Sequence, residues 1–312
     1  MRLPFRIILF ISICVLLNAC SATKKNLRVS QTSYCAPPSP YVYDSTYLPL
    51  ADIMPILRND SLLVKKFSYS DLLIANAAGT LLVLQDLIHL EENKKAEDLI
   101  YILIKKQQIF NRLLLASTEV ASLAAELDCE SERSKQLANY LDQINDTRIQ
   151  RLTIASVITG AATAIATSVI KNGKSQIAVG ISGSIVSAVF GGLAAFSSRQ
   201  SILFKHHRNL LADIWYENKT STFYPPFIWF ILQGKEFSNT GEHSSIHNIK
   251  ERWIEEGMVE IKNKQQEELY FGTGGKYKAD DLHARTNMIN QLKAEVRSVN
   301  QTLQSLMLKL SA

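Results

Sequence analysis

His243 and His247 stand four residues apart, the spacing at which two imidazoles on one helix face share a metal ion, and Glu251 continues the row. The stretch from Gly241 to Ser245 reads as a helix entrance, which leaves His243 ahead of the regular turns, and no His-Glu-x-x-His pattern accompanies the pair. No metal is expected there. Gly272-Thr273-Gly274-Gly275-Lys276 has the composition of a phosphate-cradling loop, but it lacks the Walker spacing and the Lys-Ser/Thr ending. It reads as a flexible turn. Glu255, Glu256, Glu267 and Glu268 are carboxylates of the kind used in general acid–base chemistry, yet they fall in exposed-looking runs with no organising motif, and no serine sits in a nucleophile elbow. His206-His207 reads as a surface pair. No catalytic residue, metal or cofactor is expected, and the chain reads as a non-enzyme.

Sulfur is the remaining reactive group, in Cys14, Cys20, Cys35 and Cys129. Arg2 and Arg6 precede an apolar run over residues 7–17, too short to span a membrane as a mature helix and ordered as a secretory signal requires. The run ends in Leu17-Asn18-Ala19-Cys20, which resembles the lipobox of bacterial lipoproteins. That resemblance implies a signal peptide over residues 1–19, cleavage before Cys20, and a diacylglycerol with palmitate-type chains on the Cys20 thiol. Ser21, where an aspartate would retain the protein in the inner membrane, resembles an outer-membrane address facing the periplasm. Three acyl chains, at about 0.8 kcal/mol per buried methylene, make such an anchor permanent without a transmembrane helix. Cys35 and Cys129 then remain as the thiols of an oxidising compartment. They are a candidate disulfide between tether and body, or two separate thiols.

The chain has 312 residues, 46% hydrophobic and 20% charged, which suits one large folded domain or two modest ones. It carries 34 Lys+Arg against 29 Asp+Glu. Arg2 and Arg6 leave with the leader, so the mature excess is only about +3, too weak to argue for nucleic acid. Clusters such as Lys24-Lys25 and Lys205-His206-His207-Arg208 read as solvated faces or lipid-headgroup contacts. Residues 20–47 are polar and then proline-rich, with Cys35-Ala-Pro-Pro-Ser-Pro favouring extended backbone, and they read as a lipid-anchored tether. Residues 48–312 read as a helical domain.

Within that domain, Ser70 reads as the cap of a buried helix over residues 71–90. An amphipathic helix follows over 94–127, with Leu99, Ile102, Leu103, Ile109, Leu113 and Leu114 at helical spacing. A bend is expected at 128–131, then a third helix through Leu137, Leu141 and Ile144. A fourth runs from the second hairpin arm to Trp215, giving arms of roughly 40 residues, near 60 Å at 1.5 Å per residue. Pro225-Pro226 ends it. The aromatic stretch over 223–230 reads as an interfacial belt or a cap on the bundle. A short helix over 245–256, stopped by Gly257, leads to an irregular or weakly extended segment over 258–277. Residues 279–310 read as a long helix with a near-heptad, coiled-coil-like seam.

The centre of the chain is its least polar part. Residues 152–170 and 175–198 carry no charge and flank Lys171-Asn172-Gly173-Lys174, a strong place to turn the chain. Ser156, Gly160, Ala164 and Ser168 recur every fourth position in the first arm, and Gly180, Ser184, Ala188 and Gly192 in the second. A second row in that arm is Gly183, Ser187, Gly191 and Ala195. Such rows put small residues on one helix face, where two backbones approach closely. The hairpin over 152–198 is similar to the glycine zippers of several bacterial envelope lipoproteins. Either it enters a bilayer, or it is the small-residue core of a soluble bundle.

The fold class expected is mainly α, an elongated multi-helix bundle with a long antiparallel helical hairpin and a short irregular or weakly β segment. The function expected is that of a noncatalytic envelope lipoprotein, a scaffold or subunit of an envelope assembly, whose partners are the bilayer at its acylated end and other proteins, or itself, through its helices. The alternative is a membrane-perturbing or pore-forming protein that inserts hairpin 152–198.

Overall fold

The computed structural model describes residues 34–37, 42–93, 96–196 and 199–311, and over these the protein is mainly helical with one short two-stranded antiparallel sheet. The lipobox with Cys20, and Lys24-Lys25, lie outside the described residues.

Two short helices, α1 (Met54–Asn59) and α2 (Ser61–Lys66), lead into α3 (Tyr69–Ala77) and α4 (Leu81–Asn93). The cap of α3 is Ser68 rather than Ser70: Ser68 and Asp71 form a reciprocal capping box, which satisfies two backbone donors where Ser70 would satisfy one. The single helix expected over 71–90 is broken at Gly79, whose φ of +64° is left-handed. A Cβ on Gly79 would press within 2.9 Å of the Tyr47 backbone, so the kink and the close passage of the N-terminal segment require glycine together. Arg112 locks this corner, donating to the carbonyls of Thr46 (2.9 Å) and Gly79 and stacking over the Tyr47 ring.

Helix α5 (Leu99–Val169) is one continuous helix of 71 residues, about 106 Å long at 1.5 Å per residue. The bend expected at 128–131 is absent. Those polar residues interrupt the amphipathic pattern but all find partners: Asp128 pairs with Lys293 and Arg297, Cys129 is bonded to Cys35, Glu130 to Arg133, and Ser131 donates to Asn290 (2.8 Å). Several of those partners lie on α11 (Ala279–Ser311), antiparallel to α5 along the body. Its seam, Leu282, Ile289, Leu292, Val296, Val299, Leu303 and Leu306, is buried against a stripe of α5 that includes Leu113, Val120, Leu127, Leu137 and Leu141.

After the turn, α6 (Gly173–Ala195) stops well short of the fourth helix expected to reach Trp215. The chain extends instead as β1 (Ile202–Lys205), then forms α7 (Leu210–Trp215), capped by Asn209. Helices α8 (Pro226–Gln233), α9 (Ser245–Glu255) and α10 (Lys264–Phe271) lead to β2 (Gly274–Tyr277). β2 pairs antiparallel with β1, Ile202 facing Tyr277 and Lys205 facing Gly274. The two strands are more than sixty residues apart in sequence, so neither alone announces the pair. The segment over 258–277 is thus partly helical, and its glycines serve a strand: at Gly274, φ +88°, a Cβ would strike the Phe204 carbonyl. Gly257 ends α9 at φ +65°. Tyr224, Phe227 and Trp229 are buried, so the aromatic stretch caps the bundle.

The Cys35–Cys129 bond closes a loop of 94 residues onto the middle of α5. Replacing Cys129 with serine is expected to lower stability by about 4–5 kcal/mol in the chain-entropy model. Denaturant unfolding with and without reductant checks this, and equal midpoints would contradict it.

Candidate functional site

The hairpin made by the end of α5 and by α6 is the part of the molecule that the body does not cover. From residue 142 to residue 203 no described residue is buried. α6 and the most apolar stretch of α5 are long and apolar enough to cross a membrane, and none of that stretch is buried. Val157 and Ile165 in the first arm are 65% and 66% exposed, and Ile177, Ile181, Ile185 and Val189 in the second stand out similarly. The soluble-core reading of the hairpin is therefore incorrect for this structure: the arms pack on each other, and among the described residues no other helix buries them.

What holds the arms together is a row of small residues with hydroxyls among them. Ser156 donates to the Ser187 carbonyl and Ser187 to the Ser156 carbonyl, each at 2.9 Å, a reciprocal staple across the pair. The virtual Cβ of Gly160 lies 3.4 Å from the Ser187 hydroxyl, that of Gly180 lies 3.5 Å from Thr167, and a methyl on Gly183 would collide with Thr163. The contact line therefore runs 156, 160, 163, 167 in the first arm and 180, 183, 187, 191 in the second. Ser156 and Gly160 of the first-arm row, Gly180 of the second-arm row, and Gly183, Ser187 and Gly191 of the further row in that arm lie on it. Ala164, Ser168, Ser184 and Ala188 are exposed beside it, and Gly192 has open space around its virtual Cβ. The reason is helical geometry: four residues turn a helix about 400°, so a strict four-residue row drifts some 40° per step and leaves the interface, whereas alternating steps of four and three stay on it. The threonines at 163 and 167, which a search for the smallest residues passes over, belong to the seam.

Other hydroxyls of the arms are also satisfied internally. Thr159 donates to the Ala155 carbonyl and Thr163 to that of Thr159, both at 2.7 Å, and Thr167, Ser168 and Ser182 each donate to a carbonyl three residues back. Asn172 caps α6, and the Gln176 amide donates to the Thr167 carbonyl at 2.9 Å, which closes the turn.

The base of the hairpin is fastened by a buried polar cluster. Arg208 pairs with Glu126 at 2.7 Å, Arg133 lies over the Phe204 ring, and His206 meets the Tyr277 hydroxyl at 2.8 Å. Arg285, fully enclosed, donates to Asn209 and to the Tyr270 carbonyl. Of residues 205–208, expected as a solvated face, His206 is buried and Arg208 half-buried in this cluster, while Lys205 and His207 are exposed. Burial, then the charges of Arg285, Arg133 and His207, hold the His206 imidazole neutral, well below its usual range. Burial also pushes the Tyr277 phenol up to about 12. Elsewhere on α5, burial raises Glu119 to about 7 against a hydrogen bond from Tyr43.

His243 and His247 do come together, rings 4.6 Å apart, but the neighbour of His247 is Glu217 at 3.4 Å. Among the described residues no group of three metal-ligating side chains gathers.

Two outcomes follow from this geometry. Gly183→Val should force the arms apart, sharply reducing disulfide trapping between Ser156→Cys and Ser187→Cys, while Gly192→Ala should leave trapping intact. Equal trapping in both variants would remove the seam assignment. His206 binds a proton more readily unfolded than folded, so its contribution to stability is full above about pH 6.5 and falls as pH drops below that, by up to about 1.4 kcal/mol per pH unit. Urea melts at pH 7 and pH 5 should show a smaller acid loss in His206→Phe than in the parent protein; an equal loss would contradict the assignment. Comparison of the chain with family models, with curated proteins and with solved structures finds no match.

Proposed function

We propose that this protein is a noncatalytic, lipid-anchored lipoprotein of the bacterial envelope, most simply of the outer membrane facing the periplasm, and that it acts by inserting hairpin 152–198 into a bilayer. The observation that carries this reading is the bareness of the arms, which present isoleucine and valine outward and tie most of their hydroxyls to backbone carbonyls of their own or the facing helix. Water penalises the first arrangement, and hydrocarbon demands the second. Lipid on Cys20 already supplies attachment, so the hairpin serves something other than anchoring: it perturbs or reshapes the membrane it enters. The lipobox resemblance and Ser21 support the address.

A second reading keeps the hairpin as the docking element of a scaffold or assembly subunit. It draws on the open groove beside the seam, lined by Gly160, Ala164, Ser184, Ala188 and Gly192. Under that reading the outward isoleucines would contact protein rather than lipid.

Vesicles separate the two. In the inserting reading, phospholipid vesicles block trypsin cleavage at Lys171 and Lys174 and release an entrapped dye. Ile165→Asp or Ile185→Asp, each costing about 2.5–3.5 kcal/mol at mid-membrane depth, should reduce both effects at least ten-fold. The thermal midpoint of the body should not move, because both side chains are exposed. Unchanged protection and leakage in these variants would favour the docking reading instead.

A further inference from the structure

Between Asp146 and Asp213 the chain carries no acidic residue at all. Outside the strand β1 and the buried pair at Arg208, the cations of this stretch fall in two bands. Arg148 and Arg151 precede the first arm and Arg199 follows the second, where it pairs with Asp280; Lys171 and Lys174 stand exposed at the turn. Along α5 the nearest acidic residue to the turn, Asp146, is about 37 Å away. Residues 152–170, the uncharged stretch between the bands, rise about 28 Å as a helix, against about 30 Å for a hydrocarbon core. A hairpin that lay flat on a membrane would need its charges along one flank. One that docked into protein would have no reason to confine a single sign of charge to two levels this far apart.

This inference rests on the insertion proposed above. We infer that the hairpin crosses the whole hydrocarbon core, and that the ligands of its two cationic bands are anionic phospholipid headgroups, met by Arg148 and Arg151 on the near face and by Lys171 and Lys174 on the far face. The seam makes the crossing feasible, since seven hydroxyls of the arms, at Ser156, Thr159, Thr163, Thr167, Ser168, Ser182 and Ser187, already bond to backbone carbonyls, and the Asn172 cap and the Gln176–Thr167 bond hold the turn when it leaves water. Each lysine near an anionic surface strengthens its attachment by roughly five-fold.

The test uses single cysteines in the mature full chain, whose Cys35 and Cys129 are bonded to each other. Gly173→Cys places a thiol at the turn, where a Cβ meets nothing within 4 Å and both lysines are kept. Ile165→Cys places one in mid-arm. Each protein is allowed to insert into preformed vesicles containing phosphatidylglycerol, and a membrane-impermeant maleimide is supplied either outside or sealed within. The turn should be labelled only from within, and the mid-arm thiol from neither side. Lys171→Glu with Lys174→Glu on the Gly173→Cys background should cut labelling from within at least ten-fold, as should vesicles of phosphatidylcholine alone. Labelling of the turn from outside with the mid-arm protected would overturn the crossing while leaving insertion intact. Labelling of both from outside would overturn insertion itself. Equal labelling from within, whatever the lipid and whatever the charge at 171 and 174, would overturn the headgroup assignment.

Discussion

Asp128, Cys129, Glu130 and Ser131 interrupt the apolar periodicity in the middle of α5, where a helix left to itself would be free to bend. They do not end it because their partners lie on the elements packed around them, Lys293, Arg297 and Asn290 on α11 and Cys35 in the N-terminal segment. That set of contacts accompanies one continuous helix across two stretches with different surroundings. The first stretch buries its stripe against α11, α4 and α8; the last leaves the body and ends in the hairpin. Because the helix is continuous, the first bare arm is a direct extension of the helix that the body's core packs against. The polar cluster around Arg285 and His206 holds the returning chain where β1 begins.

The hairpin follows a different physical rule from the body. In the body, large aliphatic and aromatic side chains are driven together by exclusion from water. In the hairpin the large side chains face outward, and the interface is built from glycine, serine and threonine, whose small size lets backbones approach and whose hydroxyls bond to carbonyls of their own or the facing helix. Under the proposed insertion this polarity suits hydrocarbon surroundings, where packing rather than hydrophobic exclusion drives helix association.

Much of the architecture can be read from local pattern. The absence of proline between Pro55 and Pro225, the apolar seam over 279–310 and the Asn-Gly turn between lysines point to long helices and a hairpin without any knowledge of contacts. What local pattern misreads are features decided by distant residues. The polar run at 128–131 looks like a bend because its partners on α11 are some 160 positions away in the chain. β1 looks like a continuing helix because β2 lies far downstream. The kink at Gly79 is set by the passage of Tyr47. At the hairpin, spacing by four finds most of the small-residue interface but adds Ala164, Ser168, Ser184, Ala188 and Gly192 beside it and omits Thr163 and Thr167, since a helix of 3.6 residues per turn rotates a strict row of four away. The resemblance to a lipobox around Cys20 is a matter of sequence alone, and it bears on the proposed address rather than on the geometry of the arms.

The account reduces to a single physical claim, that residues 152–195 have hydrocarbon rather than water as their surroundings. Nitroxide labels placed one at a time at the exposed positions of the first arm, from 153 to 169, with the full chain bound to vesicles, report this through their accessibility to oxygen and to a water-soluble nickel chelate. Oxygen accessibility should rise and nickel accessibility fall toward the middle of the arm, near 158–165, with both returning toward aqueous values at its two ends, near 153 and 169. A profile in which every position stays as accessible to nickel with vesicles as without them would contradict it.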